Sequence, residues 1–223
     1  MSEPLRSTAK GRVVLVDDHP IVRRGLRALL DAEPDLEVVA EAEDFAGAFA
    51  ALASARPDVI LVDVSLGGSD GLELVQRIRA AHSLPILVLS IHDETLYAER
   101  AVRAGANGYV MKHEATRVVV DAIRSVLRGQ VWLSERITSR FVRAYLGAPA
   151  PEERPLLSCL TDRELQVFHL IAQGLGTGGI AKSLGISRKT VETHRAHIKE
   201  KLGLRTGVEL VQFAAQFTAK LAT

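Results

Sequence analysis

The chain has 223 residues, 47% of them hydrophobic and 25% charged, which excludes collagenous, low-complexity and disordered chains and leaves room for one large or two ordinary domains. Its 28 Lys and Arg nearly balance 27 Asp and Glu, for a net charge of +1, which taken whole argues against a polyanionic partner. Its single cysteine, Cys159, excludes an intrachain disulfide and a CxxC zinc site; with no apolar signal core near the start and no apolar run of the roughly eighteen residues that span a bilayer, a cytoplasmic protein without membrane contact is expected.

Charge counted along the chain is less even. Residues 1–130 carry 15 basic and 19 acidic side chains, residues 131–155 carry 4 and 3, and residues 156–223 carry 9 and 5, so an acidic part of −4 precedes a basic part of +4. After a tail over residues 1–10, short apolar runs recur at Val13–Val16, Leu36–Ala40, Val59–Val62, Ile86–Leu89 and Gly108–Met111. Helical spacing fills the intervals, as in Ile21, Val22, Gly25, Leu26, Leu29 and Leu30. Five such repeats over residues 11–130 predict an α/β fold, a doubly wound five-stranded parallel sheet covered on both faces. Ligands of such sheets sit beyond the carboxyl ends of the strands. Gly147, Pro149, Pro151 and Pro155 then break any helix, and residues 131–157 read as a linker.

Asp17 and Asp18 follow the first strand and Asp63 follows the third, so three carboxylates converge on one sheet edge. Like charges in a half-buried site cost several kcal/mol unless a cation neutralises them. Mg²⁺ suits such a site because it takes one or two carboxylates, keeps waters and is completed by phosphate oxygens. Ser90 ends the fourth strand and Lys112 the fifth, bringing a hydroxyl and an ammonium to the same edge. A carboxylate nucleophile, a metal, a cation and a donor are the parts of phosphoryl transfer. His19, beside the acidic pair, reads as a local polar residue rather than a base.

In the order and spacing of LVDDHPIVRRGLRALL, ILVDVSLGGSDGLEL, ILVLS and GANGYVMK, residues 11–130 closely resemble the receiver domain of bacterial response regulators, a flavodoxin-like fold. The resemblance implies that Asp63 accepts a phosphoryl group from a sensor histidine kinase. It implies that Asp18 ligates Mg²⁺ directly and Asp17 largely through water, with the backbone carbonyl of Ser65 completing the protein ligands. Lys112 would pair with the phosphoryl group, Ser90 would donate to one of its oxygens, and Tyr109 would turn inward with Ser90. The output would be a population shift rather than a new fold. Two departures stand out: Gly67-Gly68 where the family often has a proline after the phosphoacceptor, and His113 where a proline often follows the lysine. The glycines are expected to loosen that loop.

The basic part opens on Leu160-Thr161-Asp162-Arg163-Glu164-Leu165, with Thr161 as N-cap and Glu164 as its capping-box partner. Further helices are predicted over Gly178–Leu184, Arg188–Leu202 after the cap Ser187, and Gly207–Phe217. A small all-α helix-turn-helix domain over residues 158–223 follows. Its third helix is basic, with Val191, Ile198 and Leu202 kept for the core. His194 and His197 are spaced for a metal pair but lack a further ligand in reach.

The stretch LTDRELQVFHLIAQGLGTGGIAKSLGISRKTVETHRAHIKEKLGL resembles the LuxR-type DNA-binding domain, and with the receiver it implies a response regulator of the NarL/FixJ class. By position, Glu192, Thr193 and Ala196 would face base edges, and Arg188, Lys189, Thr190, His194, Arg195 and Lys199 would lie near phosphates of double-stranded promoter DNA. The chain has Gly176-Thr177-Gly178-Gly179 where the family places polar helix formers, so a basic phosphate contact is lost at 178. Weaker intrinsic DNA affinity and more reliance on a homodimer formed on phosphorylation are expected. RNA polymerase is a candidate partner, and no enzymatic turnover is expected. Two alternatives stand beside this reading. One is a phosphorylation-independent transcription factor, the other an aspartyl-phosphate phosphatase, which requires a second carboxylate where Ser65 stands.

Overall fold

The apolar runs become strands β1 (Gly11–Val16), β2 (Leu36–Ala42), β3 (Val59–Asp63), β6 (Ile86–Ser90) and β7 (Gly108–Met111). All pair in parallel in the order β2-β1-β3-β6-β7. The computed structural model describes residues 10–66, 69–146, 157 and 159–221. The tail before residue 10, Gly67-Gly68 and the Gly- and Pro-rich stretch of the expected linker at 147–156 lie outside them.

β-Branched and leucine side chains on both faces of β1 and β3 are buried, as a sheet covered on two sides requires. One face, carrying Val13, Leu15, Leu61, Leu87 and Leu89, packs on helices α1 (Pro20–Asp31) and α5 (Ala115–Leu127) through Leu26, Leu30, Val119, Ile123 and Val126. The other face, with Val14, Val16, Ile60, Val62 and Val88, is buried beneath α2 (Phe45–Ala55), α3 (Gly71–Ala81) and α4 (Glu94–Ala104). The winding direction reverses between β1 and β3. Their carboxyl ends carry Asp17, Asp18 and Asp63, so the acidic residues flank the topological switch point. A short antiparallel pair, β4 (Ser65–Leu66) with β5 (Ser69–Asp70), follows the phosphoacceptor candidate after Val64.

The expected linker begins inside the first unit. Trp132 forms a bridge with Gly108 at the edge of β7, accepting from the Tyr109 N–H at 2.9 Å and donating to the Asn107 carbonyl at 3.0 Å. Helix α6 (Glu135–Tyr145) then docks on α4, with Ile137 buried. The Ser134 hydroxyl donates to Glu94 at 2.9 Å, and Arg140 donates to the Thr95 carbonyl at 2.6 Å and to Glu99 at 2.9 Å. The chain divides into two units between Val142 and Arg143.

The second unit is helical, with α7 (Asp162–Ala172), α8 (Thr177–Ser183), α9 (Arg188–Leu202) and α10 (Gly207–Leu221). The expected capping box forms: Thr161 accepts from the Glu164 N–H at 3.3 Å, and the Glu164 carboxylate accepts from the Thr161 N–H at 2.8 Å. Ser187 caps α9 through the Thr190 N–H, and Gly203 at φ 68° closes it in the left-handed region. Leu165, Phe168, Ile171, Ile180, Val191, Ile198 and Leu210 fill the core, and Phe168 meets the Phe213 and Phe217 rings edge-on at 6.0 Å each.

Candidate functional site

Each acidic side chain at the switch point is placed by the strand it ends. Asp63 closes β3 and is 1% exposed, and Asp17 follows β1 and is 2% exposed, whereas Asp18 is half-buried. Lys112, just past β7, reaches between the two buried carboxylates, its ammonium 2.6 Å from Asp17 Oδ2 and 2.7 Å from Asp63 Oδ2. The other Asp63 oxygen accepts the Ser65 N–H at 3.1 Å. On the far side of Asp17, His19 Nδ1 lies 2.7 Å from Asp18 Oδ1 and 3.3 Å from Asp17 Oδ1. Ligand-type atoms of Asp17, Asp18, His19 and Asp63 all lie within 4.8 Å of one another.

Burial raises the Asp63 carboxyl to about 6, opposed by Lys112 and reinforced by the negative charge of Asp17. Burial would lower Lys112, but the Asp63 and Asp17 carboxylates outweigh it and hold the ammonium above its usual value. One cation thus serves two deeply buried carboxylates with a third beside them. A hard divalent ion with oxygen ligands fits this donor set, because it supplies the charge that a single lysine leaves short.

The backbone around Asp63 is tightly enclosed. A β-carbon built on Gly71, the first residue of α3, would stand 2.1 Å from the Asp63 carbonyl oxygen and 2.7 Å from Val64 Cα. Only glycine permits α3 to start this close to the end of β3.

Ser90 and Tyr109 meet at His92, a residue the sequence reading passed over. The Ser90 hydroxyl accepts from the His92 N–H at 2.9 Å, and the buried Tyr109 hydroxyl, pushed up by its burial, donates to the His92 carbonyl at 2.8 Å. The His92 ring is stacked on Tyr97, centroids 4.6 Å apart, with Nε2 3.0 Å from the Ser65 hydroxyl. Asp17, Asp18, Asp63 and Lys112 are therefore in one cluster with Ser65 at its rim, while Ser90 and Tyr109 join it through His92. The available signal was position, since His92 stands two residues beyond Ser90 where β6 gives way to α4.

The second candidate surface lies on α9. Val191 and Ile198 are buried, and Lys189, Glu192, Thr193 and Ala196 are exposed at the i, i+3, i+4, i+7 spacing of one helix face. Arg188 and Thr190 are exposed as well, whereas His194, Arg195 and Lys199 are half-buried beside that face. Burial, helped by the Arg163 charge, pulls His194 below the ordinary histidine value. His197 turns toward Glu164, with its Nδ1 3.7 Å from the carboxylate, and neither His194 nor His197 belongs to a cluster of metal-type ligands among the described residues. Cys159 is exposed, with its sulfur 3.8 Å from the Lys201 carbonyl. No helix among the described residues is long and apolar enough to cross a membrane.

Comparison with known proteins covers both units. Residues 13–124 match the family described as response regulator receiver domain, and residues 158–214 match bacterial regulatory proteins of the luxR family. The oxygen regulatory protein NreC of Staphylococcus carnosus is 35% identical over 210 residues, 91% of this chain and 96% of that protein. NreC of Staphylococcus aureus is 36% identical over the same length and coverage. Among solved structures, the response regulator ChrA of a heme-sensing two-component system is similar at 32% identity and a TM-score of 0.51, over 93% of this chain and 98% of that one. RcsB of Salmonella enterica serovar Typhimurium, bound to the promoter P1flhDC in the presence of the phosphomimetic BeF3-, is similar at 25% identity and a TM-score of 0.62, over 93% and 99%.

Proposed function

The chain belongs to the DNA-binding response regulators that join a receiver domain to a LuxR-type domain, and from that premise we propose that a phosphoryl group on Asp63 governs its binding to promoter DNA. Receiver chemistry is assigned to residues 11–130 and DNA contact to residues 158–223. The observation that carries the reading is the Lys112 ammonium shared by the buried carboxylates of Asp17 and Asp63.

A sensor histidine kinase presents a phosphohistidine at the open edge of the sheet. An oxygen of Asp63 attacks phosphorus in line as the phosphorus–nitrogen bond breaks, and the imidazole leaves with the bonding electrons. Asp17, Asp18, Asp63 and the Ser65 carbonyl would hold Mg²⁺, which would supply positive charge for the phosphoryl oxygens. Lys112 follows the new dianion, and the Ser90 hydroxyl turns from the His92 N–H to donate to it. Tyr109 is already inward, so the movement of Ser90 and His92 passes directly to the start of α4. Phosphorylation then favours a homodimer whose two α9 helices read paired half-sites, in the cytoplasm and within reach of RNA polymerase.

The test is dimerisation and DNA binding of the full chain with Mg²⁺ and beryllofluoride, in wild type and Asp63→Asn. Both properties are expected to rise in wild type and to stay flat in the variant. A wild-type protein indifferent to the analogue would favour the phosphorylation-independent reading.

A further inference from the structure

Of the outward-facing side chains of α9, Glu192 is held by the turn that opens α8 and Arg188 lies beside that turn. The Thr177 hydroxyl donates to Glu192 Oε1 at 2.5 Å. One residue on, the position a β-carbon would take at Gly178 lies 3.2 Å from Nη2 of Arg188 and 3.6 Å from both its Cζ and Nε. The guanidinium therefore lies across the glycine: a methyl there would shift it by only a few tenths of an ångström, whereas a longer side chain would take its space. Thr177 and Gly178 belong to the glycine-rich stretch Gly176-Thr177-Gly178-Gly179, in which Gly178 stands where the family often has a basic side chain.

An exposed glutamate or arginine samples many rotamers, and ordering it on binding is costly. A glutamate facing DNA is also repelled by the phosphates on either side. A hydroxyl donor on one of its oxygens offsets that repulsion and fixes the direction of the other oxygen.

We infer that Thr177 and Gly178 are positioning residues for DNA recognition. Thr177 satisfies Glu192 Oε1 and leaves Oε2 to accept from a base-edge amine, the cytosine N4 group being the major-groove donor that a carboxylate reads. Gly178 seats the Arg188 guanidinium at the mouth of the helix-turn-helix, where the first helix of the motif crosses the DNA backbone. Arg188 thereby takes the place of the basic side chain missing at 178. The glycine-rich turn moves a phosphate contact from one helix to the other. A substitution that restored arginine at 178 would displace one guanidinium with another. The inference rests on the reading of Glu192 as a base-contacting residue.

The test uses the full chain with Mg²⁺ and beryllofluoride. A pool of randomised duplexes is first selected for the bound sequence, and affinities are then measured on that duplex, on its single-base-pair variants and on an unrelated duplex. Glu192→Ala is expected to flatten the preference at one base pair of each half-site. Thr177→Val is expected to flatten the same base pair by about three- to tenfold, the worth of one hydrogen bond, without changing binding to the unrelated duplex. Thr177→Ser keeps the hydroxyl and retains the preference. Gly178→Leu, whose side chain would fill the space of the guanidinium, is expected to weaken every duplex by a similar factor and to reduce the salt slope by about one phosphate contact. Leucine is a better helix former than glycine, so a folding defect does not explain that loss.

If Glu192→Ala flattens a base pair and Thr177→Val does not, the role of Thr177 is overturned while the reading of Glu192 survives. If Glu192→Ala leaves every base pair unchanged, that reading falls and the role of Thr177 with it. A Gly178→Leu protein that binds with the wild-type affinity and salt slope would overturn the seat for Arg188.

Discussion

Replacing Asp63 by asparagine is expected to stabilise the metal-free receiver at neutral pH while abolishing its response to beryllofluoride. In the folded chain the Asp63 carboxyl is raised from 3.8 to about 6, because burial and the Asp17 charge outweigh Lys112. Each pH unit is worth about 1.4 kcal/mol, so keeping this residue ionised costs the fold roughly 3 kcal/mol. The penalty is absent below pH 3.8, grows through the interval to about 6 and is complete above it. Asparagine, neutral and of nearly the same shape, does not bear it. In a chelating buffer at pH 7.5, Asp63→Asn should unfold about 10 °C higher than wild type, and the gap should close as the pH approaches 4. Saturating Mg²⁺ should narrow the gap at pH 7.5, because the cation stabilises the three carboxylates more than the two left in the variant. Trp132, the single tryptophan of the chain, sits against β7, so its fluorescence follows this unit and not the helical one. Equal stability of the two proteins in chelator at pH 7.5, or a gap independent of pH, would refute the account of Asp63 as a strained anion awaiting a cation.

Gly71→Ala would force a β-carbon to within 2.1 Å of the Asp63 carbonyl oxygen, so α3 or the end of β3 must move. A loss of about 3 kcal/mol in Trp132-monitored unfolding is expected, together with a weakened beryllofluoride response. A loss below about 1 kcal/mol would mean that α3 slides away freely. In the helical unit, burial would raise Glu164, but the Lys201 ammonium at 2.6 Å and the Thr161 cap outweigh it and hold the carboxyl below its usual range. That stability is present above the ordinary value of 4.5 and is lost as the pH falls through the lower folded value. Glu164→Gln, which can keep the capping box, should cost about 1–2 kcal/mol at pH 7 and nothing once the wild-type carboxylate is protonated. Circular dichroism melts at the two pH values check this, and an equal loss at both would reject the ion pair as the cause.

The strands were legible because buried parallel strands are written as continuous β-branched runs, and Gly108–Met111 has the same limits in the sequence reading and in the fold. The acidic cluster was legible for a related reason. Parallel strands all end on one edge, so Asp17, Asp18 and Asp63 had to converge once the strands were placed. Contacts that depend on a partner far along the chain were not legible. The periodic pattern of Glu135–Tyr145 gives no hint that its anchors are Glu94, Thr95 and Glu99, some forty residues earlier. His92 acts largely through its backbone N–H and carbonyl, which no side-chain pattern announces. Likewise the spacing of Thr177 and Glu192 is no recognised motif, and only the crossing of α8 and α9 brings them together.

The strap formed by Trp132 bears on how this protein can be cut. β7 is an outer strand of the sheet, and the Tyr109 N–H and Asn107 carbonyl at its free side are both satisfied by Trp132. A receiver ended at residue 130, where the β-α repeats of the sequence stop, would leave those groups bare and uncover the apolar seat of Ile137. An unprotected outer strand is a template for edge-to-edge association. A fragment reaching through Tyr145 should remain monodisperse where the shorter one self-associates, so residues that read as a connector act as a selvage that keeps the sheet from adding strands.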